Sequence, residues 1–437
     1  MSPPRLSQRE IALFFFPLLL NVQLMSVSHS VINGALARQE DFVNALAAFS
    51  VAMVLHLFFA SPSYQNHTVT IAIVRGRRSL RGTIIFIVLV ALYVSAMLAL
   101  VAFTPVGDFI LRRLLGVSAE IAAQARGVLG VFVILPFFTG FRGLFQGLLI
   151  QARRTALVSF ATLVRIGALL LFLLLLRPWF SGAMLGAAAL VACIMVETSF
   201  VGLFAVRCRV PQDAAGERGT WEILRFAFPL AWSSCLQQTV PLLINAIISR
   251  LPDGALALAS FGVIRGFIFL LGGPMRNLQQ AYLTLVRRAE DYRPLVIFFR
   301  WVGGSLALVT VLVAYPLSEP VLGTLMGLDA QTRRYIALPL AASSLYCYLY
   351  GAANLLRGWF TGAHRTLQLG RSVIYKVALL LACWGVLRLL PVAIPGVAVA
   401  VFLLLAAELF ETAYLYRQRQ RLLASPTAGA AGAEGVR

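Results

Sequence analysis

The sequence has little charge and almost no lysine. Only 12% of its 437 residues are charged, 60% are hydrophobic, and Lys376 is the one lysine among 37 basic residues. A soluble protein of this length could not cover its surface with so few charged side chains. The composition therefore excludes a soluble globular protein. It also excludes the nucleic-acid binding that a net charge of +20 would otherwise suggest.

Signatures of catalysis and metal binding are missing as well. The five cysteines form no Cys-x-x-Cys pair, and no histidine or aspartate is spaced with them as a metal ligand. The sequence contains no Walker motif, no Gly-x-Ser-x-Gly and no His-Glu-x-x-His. We therefore expect no enzymatic activity, no catalytic residue, no metal and no cofactor.

Long apolar runs take the place of charge. Each run of about 20 residues matches the length with which a helix crosses roughly 30 Å of hydrocarbon. The runs predict an all-α polytopic membrane protein with 12 transmembrane helices, arranged as two homologous six-helix bundles. The predicted spans are 11–33, 43–73, 83–104, 126–151, 155–176, 182–206, 222–249, 255–286, 295–317, 333–361, 366–389 and 394–416.

The loop arginines predict the orientation. Loops after even-numbered spans carry basic clusters, such as Arg77 with Arg78, whereas loops after odd-numbered spans carry few or include Asp41, Asp108 or Asp253. The positive-inside rule then places both termini in the cytoplasm. We expect a multi-pass protein of the cell (inner) membrane, whose residues 425–437, rich in Ala and Gly, form a disordered tail.

The two halves of the chain are related by duplication. A shift of 212 residues places Pro17 on Pro229, Asn33 on Asn245, Arg38 on Arg250 and Pro62 on Pro274, and small further shifts place Arg142 on Arg357, Arg165 on Lys376 and Glu197 on Glu411. The predicted bundles are 1–210 and 211–424. Because six is an even number, both bundles enter the membrane from the same side, and a cleft between them is the expected transport path.

Several short motifs resemble a known family. They are Asn33 with Glu40-Asp41, Phe58-Phe59 with Pro62, Pro229-Leu230-Ala231, Gln237, Asn245, Ser249-Arg250, Gly358-Trp359, and Glu411 ahead of Tyr416-Arg417. Together with the two six-helix halves, they resemble the progressive ankylosis (ANK) family, within the superfamily of multidrug and toxic compound extrusion (MATE) proteins. The resemblance implies export of anions such as pyrophosphate, nucleotides or di- and tricarboxylates. It also implies a basic residue at the position of Lys376.

Charged residues inside the spans are the strongest functional signal. The basic ones are Arg142, Arg165, Arg265, Arg276, Arg357 and Lys376, and the acidic ones are Glu197, Glu408 and Glu411. A charge at mid-bilayer costs at least about 2.5–3.5 kcal/mol, so these side chains should face protein or water.

Two interpretations of these charges remain open. Arg165 with Glu197, and Lys376 with Glu411, are predicted as ion pairs that either stabilise the bundles or take part in ion coupling. Arg142, Arg357, Arg265 and Arg276 have no evident acidic partner in the sequence, so we interpret them as substrate-binding residues. The alternative for Arg276 is that its side chain snorkels to the cytoplasmic interface.

Neutral polar residues line the first span of each half. Asn33, Gln237, Gln238 and Asn245 are interpreted as substrate-binding, although such residues also hold helices together. His29 is either a proton switch or a hydrogen-bonded packing residue. Pro62 and Pro274 lie in the middle of their spans and are either hinges or static bends.

An exporter of small polyvalent anions, working by alternating access between the bundles, is the predicted function. Arginines attract phosphate and carboxylate, whereas a multidrug pump of MATE type needs cavity carboxylates to attract cations. A flippase for an anionic lipid-linked precursor is the other alternative. A membrane potential, negative inside, supplies about 2.3 kcal/mol per charge per 100 mV. The expected partners are a small anionic substrate and the lipid bilayer, the protein is expected to be a monomer, and H⁺ or Na⁺ coupling stays open.

Overall fold

The computed structural model describes residues 6–36, 38, 41–115, 117–208, 217–326, 328–389 and 394–424. In this part of the chain every regular element is a helix, and no strand occurs. The predicted all-α membrane fold is therefore confirmed. The predicted tail, 425–437, lies outside the described residues.

The helices follow the duplicated order of the sequence. In the first half they are α1 (Gln8–Leu36), α2 (Phe42–Phe59), α3 (Asn66–Ile73), α4 (Arg77–Phe103), the short turn α5 (Val106–Asp108), α6 (Ala119–Phe132), α7 (Leu135–Gln151), α8 (Thr155–Leu175) and α9 (Gly182–Val206). In the second half they are α10 (Thr220–Ile248), α11 (Gly254–Phe267), α12 (Asn277–Leu285), α13 (Tyr292–Ala314), α14 (Ala330–Ala342), α15 (Leu345–Gly362), α16 (Thr366–Leu389) and α17 (Gly396–Ala424).

Length and apolarity identify the membrane-crossing elements among the described residues. Eight helices are long and apolar enough to cross a membrane. The number rises to ten if each of two bent helix pairs is counted as one span. The predicted spans 11–33 and 222–249 coincide with α1 and α10, which have 29 residues each and carry the polar stripes. At 1.5 Å per residue each is about 43 Å long, which is enough to cross a bilayer. The count of twelve and the cytoplasmic termini stay predictions.

The chain separates into two compact units. One is Phe16–Cys235, and the other contains Met1–Phe15 together with Leu236–Arg437. The unit boundaries therefore lie inside α1 and α10. The bundle limits that the sequence predicts, 1–210 and 211–424, stay a prediction.

Each unit has its own apolar core. In the unit Phe16–Cys235, Phe49 and Phe132 pack edge to face with their ring centroids 6.3 Å apart, and small residues of α9 such as Ala187 and Ala189 are fully buried. The other unit is built around Phe261, Ile264 and Leu340, among other apolar side chains. Small residues on α9 let neighbouring helices approach closely, as is usual where helices pack inside a membrane.

The two predicted hinge prolines both interrupt regular α-helix, but only the segment with Pro62 is sharply bent. Pro62 lies in a 3₁₀ turn, Ser61–Gln65, and the helices on either side are bent by 58°. Pro274 also lies in a 3₁₀ turn, Gly273–Arg276, yet the segment Leu256–Leu285 runs on as one span. A π-helical turn, Ile268–Gly272, precedes Pro274, and it absorbs part of the irregularity that proline introduces.

Asp253 links three helices, α11, α14 and α17, of the unit that contains Leu236–Arg437. They meet at the end of this unit that the arginine pattern places outside the cell. The Tyr335 hydroxyl and the Gly396 N–H both donate hydrogen bonds to Oδ2 of Asp253, the latter at 2.9 Å. A Cβ atom at Gly396 would lie 2.7 Å from Ala257 Cβ, so only glycine permits this approach. Although desolvation acts in the opposite direction, the hydrogen bonds from Tyr335 and Gly396 hold the pKa of Asp253 below its usual value.

Tyr335→Phe removes one of these donors and should destabilise the protein by about 1 kcal/mol at neutral pH. Because the pKa of Asp253 is lowered in the folded protein, its contribution is complete above the pKa of the unfolded chain. That contribution disappears as the pH falls through the folded value. Thermal unfolding in detergent should therefore show a difference between wild type and variant at neutral pH that shrinks in acid. A difference that grows in acid would contradict this assignment.

Candidate functional site

A buried glutamate on α9 contacts the two arginines that lie well inside the spans of the first half. Glu197 is fully buried, and its Oε2 atom accepts hydrogen bonds from Arg142 Nη1 at 2.8 Å and from Arg165 Nη1 at 3.2 Å. Its other oxygen accepts from the Thr162 hydroxyl at 2.7 Å. Arg142 comes from α7, and Arg165 and Thr162 come from α8. Three helices therefore meet at one carboxylate, which we call the N cluster.

The N cluster also reaches α1 and has an excess of positive charge. Thr162 Oγ1 lies 2.5 Å from Asn21 Oδ1, a residue of α1. Two guanidinium groups and one carboxylate give a net charge of +1 within the cluster. The Nε atoms of Arg142 and Arg165 are buried and have no hydrogen-bond partner among the described residues. An uncompensated buried charge is costly, so this cluster favours a negatively charged ligand.

A related arrangement, which we call the C cluster, lies in the second half. Glu411 on α17 is fully buried, and its Oε1 accepts from Arg357 Nε at 3.0 Å and from Arg357 Nη2 at 2.5 Å. Its Oε2 accepts from Lys376 Nζ at 2.9 Å. Lys376 also donates to Glu408, which lies one helical turn before Glu411. Two cations and two carboxylates leave the C cluster neutral.

One sequence position explains the difference in charge between the clusters. The shift of 214 residues that places Glu197 on Glu411 places Ile194 on Glu408. Ile194 is a buried apolar side chain on α9, so it supplies no charge to the N cluster. The duplication therefore kept three of the four charged positions in both halves and neutralised only the second cluster.

The two equivalent arginines differ in how fully they are engaged. Arg357 uses all three guanidinium nitrogens, because its Nη1 lies 3.5 Å from Asn354 Oδ1 and its other nitrogens contact Glu411. Its guanidinium also lies over the Tyr350 ring, 5.7 Å from the centroid. Among the described residues, Arg142 has only the Nη1 contact to Glu197, and its side chain is 13% exposed. Of these two equivalent arginines, Arg142 is therefore the one with donors that lack a partner among the described residues.

The prediction that Arg142 and Arg357 lack acidic partners is wrong. The order of the chain pairs only consecutive helices, such as those that carry Arg165 and Glu197, or Lys376 and Glu411. In the structure the preceding helix, α7 or α15, also packs against the glutamate helix. A carboxylate has two oxygens and about four lone-pair sites, so it accepts from two cations at once. The pairs Arg165–Glu197 and Lys376–Glu411 are present as the sequence predicts.

Arg265 and Arg276 lie outside both clusters. Both side chains are exposed, and neither forms an ion pair in the part of the chain that the structure describes. Arg265 lies in the last turn of α11, and Arg276 ends the 3₁₀ turn that contains Pro274. Their role in substrate binding stays a prediction.

The residues of the predicted polar stripes differ in burial, and their role in substrate binding stays a prediction. Asn33 is exposed, whereas Gln237, Gln238 and Asn245 are partly buried. The side chain of His29 lies outside the described residues, so its two interpretations remain as stated. Within the described chain, no group of three or more His, Cys, Asp or Glu side chains is arranged to hold a metal ion.

Sequence reasoning missed a set of buried polar groups next to the Pro62 break. Asn66, the first residue of α3, is fully buried, and neither atom of its amide has a hydrogen-bond partner among the described residues. It packs against the glycine face of α7, where a Cβ at Gly143 would lie 2.9 Å from Asn66 Cβ. Gln65 reaches α10 through a bond of 2.9 Å from its Nε2 to Ser234 Oγ. The signal in the sequence was a polar run, Ser61 to Thr70, inside an otherwise apolar span.

Comparison with known proteins identifies the fold and supports the resemblance. A family model described as progressive ankylosis protein (ANKH) matches residues 7–208, which include the whole N cluster. A MOP superfamily transporter from Pyrococcus furiosus, described as having a binding pocket of reverse polarity, is 14% identical. The match covers 96% of this chain and 97% of that one, with a TM-score of 0.71.

Two further solved structures share the architecture. A MATE protein in complex with MaD3S is 15% identical, with a TM-score of 0.72 over 96% of this chain and 97% of that one. The eukaryotic MATE transporter AtDTX14 is 14% identical, with a TM-score of 0.66 over 98% of both chains. At these identities the likeness establishes the fold alone.

Glu197→Gln should test whether the N cluster stabilises the fold. The change leaves two buried guanidinium groups without a carboxylate, and breaking a buried ion pair in this way costs about 3–5 kcal/mol. Glu408→Gln is the matched control, because Lys376 keeps its contact with Glu411 and the loss should be smaller. Thermal unfolding in detergent measures both. Equal stability of Glu197→Gln and wild type would show that the cluster does not hold the helices together.

Proposed function

We propose that this chain belongs to the progressive ankylosis family, within the superfamily that includes MATE transporters, and that it exports small polyvalent anions. The substrates are of the pyrophosphate, nucleotide or di- and tricarboxylate type. The protein is a multi-pass membrane transporter, and we assign it to the cell (inner) membrane, where its homologous bundles work by alternating access as a monomer.

The observation that carries the proposal is the uncompensated charge of the N cluster. Two arginines share Glu197, and Arg142 is both partly exposed and incompletely hydrogen-bonded. An oxyanion that binds Arg142 would neutralise the excess charge and accept charge-assisted hydrogen bonds from its free donors. An organic cation at the same place would add a like charge in a poorly hydrated environment.

The proposal assigns the substrate contact to Arg142 and a structural role to Arg357. Arg142 and Arg357 occupy equivalent positions in the repeat, but the C cluster has no net positive charge that could attract an anion. Arg265 and Arg276 remain as additional substrate-binding candidates, because both are exposed and unpaired among the described residues. Asn33, Gln237, Gln238 and Asn245 are proposed as neutral donors along the same path.

Flux from proteoliposomes tests the function directly. Purified protein should release labelled pyrophosphate, citrate or ATP and should not transport an ethidium-type cation. Transport of the cation without any anion flux would favour the multidrug alternative. If neither moves and an anionic lipid-linked precursor is translocated instead, the flippase alternative is correct.

Arg142→Gln should weaken citrate binding about tenfold or more, because it removes charge-assisted contacts of roughly 1.5–3 kcal/mol. Its stability should stay close to wild type, since Arg165 and Glu197 remain as a balanced pair. Arg357→Gln should behave in the opposite way, with lower stability and nearly unchanged affinity, because it leaves Lys376 facing two glutamates. Concentration dependence of flux and thermal unfolding together separate these outcomes. An equal loss of affinity in both variants would instead show that Arg142 and Arg357 bind the substrate equivalently.

Ile194→Glu tests the charge argument without touching an arginine. A carboxylate at this position imitates Glu408 and would neutralise the N cluster, so anion flux should fall about tenfold or more. Ile194→Gln is the matched control, because it has nearly the same shape and polarity without the charge, and it should transport anions better than Ile194→Glu. Equal flux in the two variants would mean that net charge does not determine anion binding here.

A further inference from the structure

All three carboxylates inside the described spans have a basic side chain as a partner. Glu197 contacts Arg142 and Arg165, and Glu411 contacts Arg357 and Lys376. Glu408 contacts Lys376. The other acidic residues of the described chain, such as Glu222 and Asp253, lie at helix ends or in loops. The acidic groups at membrane depth are thus already neutralised by the protein itself.

Ion coupling needs a different arrangement. A carboxylate that carries protons must alternate between charged and neutral forms, and one that carries Na⁺ must have room for the ion beside its oxygens. An arginine does not release its proton in a protein, so Arg142, Arg165 and Arg357 stay charged through any transport cycle. The cations beside Glu197 and Glu411 are therefore attached to the chain and cannot be exchanged for ions from solution.

Arg165 and Lys376 are the deepest of these cations. Each side chain is only 2% exposed, and the polar contacts of each are with glutamates. Neither is therefore accessible to a substrate in the way that the partly exposed Arg142 is. Their equivalent places in the two halves indicate one role, which is to hold the buried glutamates ionised.

We infer that Arg165 and Lys376 are built-in counter-ions that take the place of a coupling cation, so that anion export is electrogenic and driven by the membrane potential. The inference rests on the proposed function and adds its energy source. Charged Glu197 holds Arg142 through Nη1, and the side chain of Arg142 stays partly exposed for contact with the substrate. Arg165 acts through Glu197 and is thus a positioning residue. With the inside negative, the substrate carries its full charge outward down the electrical gradient.

Proteoliposomes that contain wild-type protein separate the driving forces. Labelled citrate or pyrophosphate is followed under a potassium diffusion potential set by valinomycin. In separate arms, a pH gradient or a Na⁺ gradient is applied with the potential clamped at zero. We expect flux to follow the potential, and a tenfold potassium gradient should support on the order of a hundredfold accumulation of a divalent anion. Neither chemical gradient should drive citrate uphill.

The outcomes distinguish this inference from the function on which it rests. Uphill citrate transport driven by H⁺ or Na⁺ at zero potential would overturn the inference while supporting anion export. Absence of anion flux in every arm, including the downhill one, would overturn the proposed function and this inference with it.

Lys376→Gln provides a second test with a readout that a purely structural role would not change. Lys376 is the partner of Glu408 in the structure, so the variant leaves this buried carboxylate without a cation. A buried carboxylate without a cation tends to bind a proton, so the flux should acquire a dependence on pH that wild type lacks. Lys376→Arg restores a cation and should restore the wild-type pH profile.

The double variant Lys376→Gln/Glu408→Gln is the matched control. It removes cation and carboxylate together, so its flux should not depend on pH beyond the dependence of citrate itself. If Lys376→Gln does not fold, the Lys376→Arg and double variants still decide the matter. Either of them showing uphill transport driven by H⁺ or Na⁺ would contradict the role of Lys376. A wild-type pH profile in a well-folded Lys376→Gln would do the same.

Discussion

The sharing of one buried glutamate by two cations is the interaction on which the rest of each half depends. Glu197 joins α7, α8 and α9, and Thr162 extends the contact to Asn21 on α1. In a low-dielectric interior none of these charges is tolerable alone, so the helices that carry them must assemble together. The same requirement places the buried charges at a defined position on packed helices.

Duplication followed by divergence has made two related clusters with different electrostatics. The second half adds Glu408, engages every nitrogen of Arg357 and is neutral. The first half has Ile194 at the matching position and retains an excess positive charge. A cluster without net charge favours a rigid bundle, whereas a cluster with an uncompensated positive charge favours an anionic ligand. The geometry of the Pro62 and Pro274 segments differs between the halves as well, with a bend of 58° only in the first.

Much of the site could be predicted from the sequence, but not its partners. Placing Arg165 opposite Glu197, and Lys376 opposite Glu411, needed only the order of adjacent helices and the repeat. Arg142 is 55 residues from Glu197 in sequence, and Arg357 is 54 residues from Glu411. Pairing them required knowledge of which helices are in contact. Asn66 was overlooked because a polar residue in an apolar span resembles any other until its burial against Gly143 is known. Packing between helices, not local pattern, decides such contacts.

The sequence by itself determined the all-helical membrane fold, the internal repeat and most of the buried charges, although Arg265 and Arg276 are exposed. These follow from hydrophobic run length, from the alignment of the chain with itself and from the cost of charge in a bilayer, and none of the three requires knowledge of contacts between helices. Only the tertiary structure showed that Arg142 shares Glu197 with Arg165 and that Arg357 shares Glu411 with Lys376. Consequently it alone showed that Arg142 keeps free donors while Arg357 does not. That balance of charge depends on distances of a few ångströms between helices, which no periodicity in the sequence encodes.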